Sequence, residues 1–195
     1  MRMNMHVRGG ASDIMLYLKE ATRGEHERLE ALLPVFDPAF DRGRYVILLS
    51  QIYQAVAPLE SRLSTLPLPP ALCLSERLKS PALRADLLAL GAELPPLPTA
   101  LSWLPQEVPE ALGAMYVLEG SSLGGQLISR HLQNSLGLSP ERGLRYFVGY
   151  GPKTSAMWKS FGQILRQQVL PGSEEQVAEG ARCTFALFGQ FLRGG

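Results

Sequence analysis

Residues 115–131 read MYVLEGSSLGGQLISRH, a segment rich in helix formers that nevertheless contains Gly120, Gly124 and Gly125. Each glycine costs a helix roughly 1 kcal/mol relative to alanine, so three of them in one helix need a reason. A close crossing of another helix is one reason, and the Gly-x-x-x-Gly spacing alone supports nothing more. The other is a bent helix whose exposed backbone lies flat against a large planar ligand, toward which Ser121 could turn its hydroxyl group.

Helical periodicity extends from this segment to most of the chain. A helix is predicted over 109–136, and the first helix is expected to begin at the N-cap Asp13 and continue to about Leu33. A regular apolar stripe predicts another helix over 45–63, which Pro58 should kink. No run alternates apolar and polar residues for long enough to be a convincing strand. The sequence therefore predicts an all-α, single-domain protein of about seven or eight helices.

Composition excludes several classes of protein. The chain has 195 residues, of which 46% are hydrophobic, and its net charge of +1 provides no global basic field of the kind that binds nucleic acid. Its 2 cysteines cannot form a disulfide framework, and no apolar run is long enough to span a membrane. Residues 1–12 lack the continuous apolar core of a secretory signal. We expect them to form a flexible leader before a domain over 13–195, and we expect the protein to be cytoplasmic.

Polar side chains form a stripe on the first predicted helix. Residues 16–33 read LYLKEATRGEHERLEALL, so that Lys19, Arg23, His26 and Glu30 are spaced by intervals that place them on one helical face. One interpretation is a solvated charged face. The alternative starts from the position of His26 at the border between polar and apolar residues. There the imidazole can present one nitrogen inward while Glu30 accepts a hydrogen bond from the other, as metal-bound histidines usually do.

Three kinds of metal site can be tested on His26. The segment HERLE has glutamate where a zinc-protease motif needs its second histidine, so that match fails. A di-iron bundle needs two Glu-x-x-His units, but the residue three positions before His131 is Ile128, so that match fails as well. A single histidine can still be the one protein ligand to a haem iron, which leaves the sixth coordination position open for oxygen.

Taken together, the two motifs resemble those of the haem oxygenases, and most closely the short bacterial biliverdin-producing enzymes associated with bacterial phytochromes. The pattern LKEAT at 18–22, followed by His26 and Glu30, is similar to the family's proximal helix, and 120–126 is similar to its distal helix. The resemblance extends to Tyr146 and Phe147 and to the last helix. It implies a haem oxygenase-like helical bundle with haem between the proximal first helix and a glycine-kinked distal helix.

The resemblance also implies roles for individual residues. His26 would be the proximal iron ligand and Glu30 its hydrogen-bond partner, while Lys19 and Arg23 would face a haem propionate. The distal helix would approach the porphyrin through the residues Gly120, Gly124 and Gly125. Further candidate pocket residues, each with core packing as the alternative, are Tyr53, Phe147, Phe185 and Phe188.

One position departs from the pattern of many family members. They carry an aspartate just after the first distal glycine, where it holds the water network around bound oxygen, whereas this chain has Ser121. The phytochrome-associated subgroup resembles this chain in that respect. The departure leaves open which groups organise the distal water and which position of the ring is cleaved.

The function that the resemblance implies is oxidative cleavage of haem to biliverdin, ferrous iron and carbon monoxide, with haem as both cofactor and substrate. Oxygen and electrons are required, and the electrons must come from an external donor of the ferredoxin or reductase type because no flavin or nicotinamide fingerprint occurs in the sequence. The product would supply a bilin chromophore, with a bacterial phytochrome as acceptor, or the reaction would release iron. The alternatives are a non-catalytic haem-binding or haem-delivery protein and a helical interaction module without haem.

Overall fold

The computed structural model describes residues 13–194. Within that range the chain forms eight α-helices and five short 3-10 helices, with no strand. The α-helices are α1 (Ile14–Ala21), α2 (Arg23–Glu30), α3 (Arg42–Leu63), α4 (Ser80–Ala89), α5 (Val108–Leu136), α6 (Arg145–Val148), α7 (Thr154–Gln168) and α8 (Glu174–Arg193). This architecture confirms the all-α prediction. The leader predicted over 1–12 lies outside the described residues.

The first predicted helix is interrupted, and the expectation of one continuous helix to Leu33 is wrong. Asp13 caps α1 as predicted, because its side chain accepts a hydrogen bond from the Met15 amide at 2.8 Å. The backbone leaves helical geometry at Thr22, where φ is −118°, and α2 then ends at Glu30. The buried Thr22 hydroxyl donates to the Leu18 carbonyl at 2.8 Å. This bond back to the preceding turn bends helices, and here it accompanies the break.

The long helix that carries the three glycines is confirmed almost to the residue. The predicted range is 109–136, and α5 runs without interruption from Val108 to Leu136. It ends at Gly137, which has a φ of +64° and so takes the left-handed conformation that favours glycine after a helix. The bend predicted at the glycines stays a prediction, since helical structure continues through all of them.

The centre of the bundle is a close crossing of α5 and α8. A side-chain carbon added at Gly113 on α5 would clash with the backbone of Val177 and Ala181, and one added at Gly180 on α8 would clash with the backbone of Glu110. The two helices therefore pack backbone to backbone at this point, which only glycine permits. Around this pair the other helices bury a largely aliphatic core.

A buried ionic cluster lies next to the glycine segment. The carboxylate of Glu119, the residue before Gly120, pairs with Arg77 and lies 3.1 Å from the Lys79 ammonium. The Tyr150 hydroxyl donates to the same carboxylate at 2.6 Å. These contacts join α5 to the segments before α4 and before α7. No helix between residues 13 and 194 is both long and apolar enough to span a membrane.

Candidate functional site

One cavity of about 660 Å³ lies beside the glycine segment of α5. It is bounded by α2 and α5, with contributions from α3, α6, α7 and α8, and most of its lining is apolar or aromatic. We call it the α2–α5 cavity. Its lining residues are His26, Leu29, Glu30, Leu33, Phe36, Ile52, Tyr116, Val117, Gly120, Ser121, Leu123, Gly124, Gly125, Leu127, Ile128, Tyr146, Phe147, Trp158, Phe185, Phe188 and Leu192.

His26 and Glu30 both lie on the α2 side of the cavity. The imidazole is half exposed, and its ring lies edge-on to Phe185 with 5.9 Å between the ring centres. The distance from Nδ1 of His26 to the Glu30 carboxylate is 3.6 Å, which is slightly longer than a hydrogen bond. The predicted hydrogen bond is therefore not formed in this structure, although Glu30 still faces the Nδ1 edge. Nε2 is left as the nitrogen available to a ligand in the cavity.

The three glycines on the α5 side have different surroundings. A side-chain carbon added at Gly124 would meet nothing within 4 Å, and one at Gly120 would meet only the Trp158 ring at 3.9 Å. The same atom at Gly125 would lie 2.8 Å from the Phe147 carbonyl oxygen. The two reasons considered for the glycines thus apply to different residues. Gly125 permits a close crossing of α6, and Gly120 and Gly124 leave open space in the cavity.

Ser121 lies on the α5 side of the cavity, and no acidic side chain of α5 lines the cavity. Its side chain is exposed, and its hydroxyl donates to the Leu118 carbonyl at 2.8 Å. Because that bond uses the hydroxyl hydrogen, the oxygen lone pairs are free to accept. As it stands, Ser121 presents an acceptor to the cavity and no strong acid.

Three of the four aromatic residues predicted for the pocket line the cavity. Phe147, Phe185 and Phe188 all line the cavity. Tyr53 does not, and its ring packs instead against the hydrophobic core, so that the core-packing alternative applies there. The preceding residue, Ile52, is the one that lines the cavity. Successive residues on a helix point about 100° apart, and this places only one of the two on the cavity side of α3.

The cations predicted to meet a propionate lie outside the cavity wall. Lys19 is exposed on α1, and Arg23, at the start of α2, pairs with Glu20. The spacing argument assumed one continuous helix, and the break at Thr22 interrupts the expected line from Lys19 to His26. Their role toward a propionate stays a prediction.

Four aromatic residues of the cavity lining were not among the predicted pocket residues, although the family resemblance extended to Tyr146. They are Phe36, Tyr116, Tyr146 and Trp158, and the Tyr116 and Trp158 rings pack with 5.5 Å between their centres. Burial raises the pKa of both tyrosine hydroxyls, that of Tyr146 to about 12. Helical periodicity marks such residues only as half-buried, because their place in the cavity depends on how α6 and α7 pack on α5.

Among the described residues, no group of three His, Cys, Asp or Glu side chains could hold a metal ion. In the cavity lining, a single imidazole, that of His26, faces a large apolar space. The sequence model of the family described as Heme oxygenase matches residues 12–194. The chain belongs to the haem oxygenase family. It is an oxygen-dependent enzyme that degrades haem to biliverdin, with haem as cofactor and substrate, and the non-catalytic alternatives are not favoured.

Individual relatives agree with this membership. Heme oxygenase PigA of Pseudomonas aeruginosa is 30% identical over 175 residues, which cover 88% of this chain and 87% of the relative. The structure of the NO- and CO-bound heme oxygenase from Neisseria meningitidis has a TM-score of 0.77 at 23% identity and covers 94% of this haem oxygenase and 92% of that chain. Heme oxygenase-1 from Synechocystis in complex with heme has a TM-score of 0.73 at 15% identity, with coverage of 93% and 91%. The two structures show that the fold is shared.

Proposed function

We propose that this haem oxygenase binds and cleaves haem in the α2–α5 cavity, with His26 as the protein's ligand to the iron. The observation that carries the proposal is that His26 and the open face of Gly120 and Gly124 line one cavity. The histidine is the only imidazole among the residues that line it.

The residues of the cavity fit a large planar ligand. The open space at Gly124, and the distance of 3.9 Å from Trp158 at Gly120, leave the α5 backbone accessible from the cavity. The volume of about 660 Å³ lies within the range of about 300–1,000 Å³ that is usual for small-molecule and cofactor sites. The apolar lining suits a porphyrin, and the imidazole of His26 suits its iron.

When bound, haem supplies an iron centre at which oxygen is activated with external electrons, and its own ring is oxidised to biliverdin with release of ferrous iron and carbon monoxide. His26 would bind through Nε2, because Nδ1 faces Glu30. Glu30 would fix the orientation of the imidazole and raise its basicity, as a partner of a metal-bound histidine does. The long side chains of Lys19 and Arg23 would reach the propionates from outside the cavity wall.

On the distal side, α5 would contribute exposed backbone close to the ring and no carboxylic acid. Gly120 and Gly124 would bring α5 near the ring face, where neighbouring side chains would shield parts of the ring edge, and Gly125 would contribute through its close contact with the Phe147 backbone. Ser121 is the polar side chain of that stretch which lines the cavity. Without a carboxylic acid at this position, α5 would offer the cavity only weak proton donors. Distal hydroxyl groups and water must then provide the polar contacts.

Titration with ferric haem tests the proposal. We expect the wild type to form a Soret band that bleaches under air with ascorbate while a biliverdin band grows. His26→Ala should weaken binding and abolish turnover, because no other imidazole lines the cavity. The matched control is His131→Ala, since His131 lies on α5 outside the cavity lining, against Phe36 at 4.8 Å between ring centres. A stable Soret band in the wild type would indicate a carrier, and unchanged turnover in His26→Ala would refute its role as ligand.

Three partner and location proposals rest on the sequence. The electron donor is proposed to be of the ferredoxin or reductase type, and a bacterial phytochrome is proposed as the biliverdin acceptor. The site of action is proposed to be the cytoplasm. Reconstitution with a ferredoxin system, transfer of the product to a phytochrome apoprotein and cell fractionation test these three separately.

A further inference from the structure

Gly120 on α5 and Trp158 on α7 lie next to each other in the lining of the α2–α5 cavity. A side-chain carbon added at Gly120 would lie 3.9 Å from Cη2 and from Cζ3 of the Trp158 ring. The outer edge of the indole therefore borders the space that this glycine leaves open. The indole also packs against Tyr116 and Phe161, with 5.5 and 6.0 Å between the ring centres. How far the indole edge stands from Gly120 depends on how α7 is placed beside α5.

The buried side chain of Arg77 lies between α5 and α7 and has contacts to both. Its guanidinium group pairs with the Glu119 carboxylate on α5. On α7 it donates to the Met157 carbonyl at 3.4 Å and to the Ser160 hydroxyl at 3.5 Å. Its Nε donates to the Leu72 carbonyl at 2.7 Å. Each of the three guanidinium nitrogens thus has an acceptor, and one planar group connects the two helices to the segment before α4.

The contacts of Arg77 fall directly before the two cavity residues. Glu119 precedes Gly120, and Met157 precedes Trp158. A guanidinium group is planar and presents its donors in a fixed fork, so it holds its acceptors at a set separation. A displacement of α7 from α5 would leave buried polar groups without partners, which is unfavourable. The position of the indole relative to Gly120 therefore depends on Arg77.

The other members of the buried ionic cluster do not make this connection. The Lys79 ammonium donates to Glu119 at 3.1 Å and to the Tyr150 hydroxyl at 2.7 Å. The Tyr150 hydroxyl in turn donates to Glu119 at 2.6 Å. In the described part of the chain, only the Arg77 side chain of this cluster has hydrogen bonds to α7. A change at Arg77 can therefore disturb α7 while Glu119 keeps two of its partners.

We propose that Arg77 is a positioning residue for haem cleavage, which holds the Trp158 indole beside Gly120 and so limits how the porphyrin lies against α5. Biliverdin isomers differ in the meso carbon at which the ring is opened, so the placement of the ring in its own plane decides the isomer. A wide, rigid indole beside the open face of α5 restricts that placement. This inference rests on the proposed binding of haem in this cavity.

The variant Arg77→Lys tests the connection on the full chain. A lysine ammonium can pair with Glu119, but it lacks the fork that also reaches Leu72 and α7, so that the charge is kept and the connection is lost. The first readout is fluorine NMR of the haem-free protein labelled with fluorotryptophan. The chain has 2 tryptophans, and the signal lost in Trp158→Phe identifies that residue. We expect the Trp158 signal to shift in Arg77→Lys and the Trp103 signal to stay in place.

Arg62→Lys is the matched control. Arg62 of α3 donates to the carbonyls of Pro105 and Gln106, at 2.7 and 3.3 Å, and neither it nor these partners line the cavity. The same exchange of a fork for an ammonium group should leave the Trp158 signal at its wild-type position. An unshifted Trp158 signal in Arg77→Lys, or an equal shift in both variants, would overturn the connection between Arg77 and the indole.

The second readout is the set of biliverdin isomers formed from bound ferric haem with ascorbate under air. We expect Arg77→Lys and Trp158→Phe each to lower the ratio of the most abundant isomer to the others about fivefold, the equivalent of one hydrogen bond. The double variant should match Trp158→Phe alone, because the arginine acts through the tryptophan. In Arg62→Lys the ratio should equal that of the wild type.

A purely structural role of Arg77 would lower the melting temperature and leave the isomer ratio unchanged, and that result would overturn the proposal. An unchanged ratio in Trp158→Phe would overturn it as well, whether or not the arginine variant folds. Additive changes in the double variant would overturn action through Trp158. A wild type that forms no Soret band with ferric haem would instead overturn the proposed function itself.

Discussion

Gly124 and Gly125 are adjacent in the chain, yet the structure gives each a different physical reason to be glycine. Gly124 faces open space, so its lack of a side chain lowers helix stability with no packing gain in the protein itself. Gly125 faces a backbone carbonyl at a distance that no side chain tolerates. A residue that reduces stability without contributing to packing is best explained by a ligand. Gly124 is therefore explained by ligand binding, and Gly125 by the packing of α6 on α5.

Exchange of each glycine for alanine should have opposite effects on stability. We expect Gly124→Ala to gain about 1 kcal/mol from helix propensity, which raises the melting temperature of the haem-free protein by about 2–4 °C. Its affinity for ferric haem should fall about tenfold, because the methyl group enters the space of the ligand. Gly125→Ala should instead lose about 1–3 kcal/mol by overpacking. Thermal denaturation and haem titration of both variants measure this, and tight binding by Gly124→Ala would contradict a close approach of haem.

At the scale of helices, local sequence signals predicted most helix boundaries. They did not predict the break at Thr22, which depends on tertiary packing. The bounds of α5 follow from its apolar pattern and from Gly137, both of which are local. The break at Thr22 does not, because threonine is tolerated in helices. Here the residue is buried, and its hydroxyl bonds back to Leu18. Burial of a particular side chain depends on α7 and α8, which lie far along the sequence.

The crossing of α5 and α8 should be the least tolerant contact between helices. An added carbon at Gly180 would lie 2.6 Å from the Cα of Glu110, and neither backbone can move without separating the helices. We expect Gly180→Ala to destabilise the protein by about 3 kcal/mol, with a fall in melting temperature of about 6–12 °C. Gly24→Ala is the control, since on exposed α2 the added carbon would meet only Arg28 at 3.7 Å. It should raise the melting temperature, and equal effects of the two changes would contradict the close crossing.

At the scale of the whole molecule, the sequence indicated the two sides of the candidate site, namely the helix with His26 and the helix with the glycines. It could not predict how the other helices pack around them. His26 and the glycines were found from spacing and from the helix cost of glycine. Tyr146 and Trp158 enter the cavity only because α6 and α7 pack on α5, a relation between distant segments. Tyr53 is the opposite case, a predicted pocket residue that packs on the core. The orientation of α3 about its axis determines whether residue 52 or residue 53 faces the cavity. Aromatic residues thus carry little information about a site until the packing is known.

The buried ionic cluster is the other feature of the whole molecule that no local pattern indicates. Glu119, Arg77 and Lys79 are charged residues that a periodicity analysis would place on the surface, yet each is at most 5% exposed. Burial of charges is unfavourable unless they are paired and hydrogen-bonded. Here the pairing joins α5 to the segments before α4 and α7, which packs the glycine stretch against the rest of the bundle. Removal of one partner would leave an unpaired buried charge, which is strongly destabilising.

Glu60, at the edge of this cluster, should make stability depend on pH. Burial raises the pKa of its carboxyl above the ordinary value of 4.5, although hydrogen bonds from Lys79 and Ser80 oppose the rise. The folded state therefore binds this proton more tightly than the unfolded chain does. The resulting stability is fully present below pH 4.5 and is lost as the pH rises through the folded-state pKa.

Glu60→Gln removes this titration and keeps the size of the side chain. We expect the variant to be less stable by about 1–3 kcal/mol, because its amide donors face the donors of Lys79 and Ser80. The difference from wild type should narrow as the pH rises from 4.5 to neutrality, since only the wild type must ionise a buried acid. Urea denaturation across this range measures the difference. Glu141→Gln, which removes an exposed carboxylate whose pKa is lowered by hydrogen bonds, should show a difference that does not narrow as the pH rises. If the difference in stability between the wild type and Glu60→Gln widens as the pH rises, the raised pKa of Glu60 is contradicted.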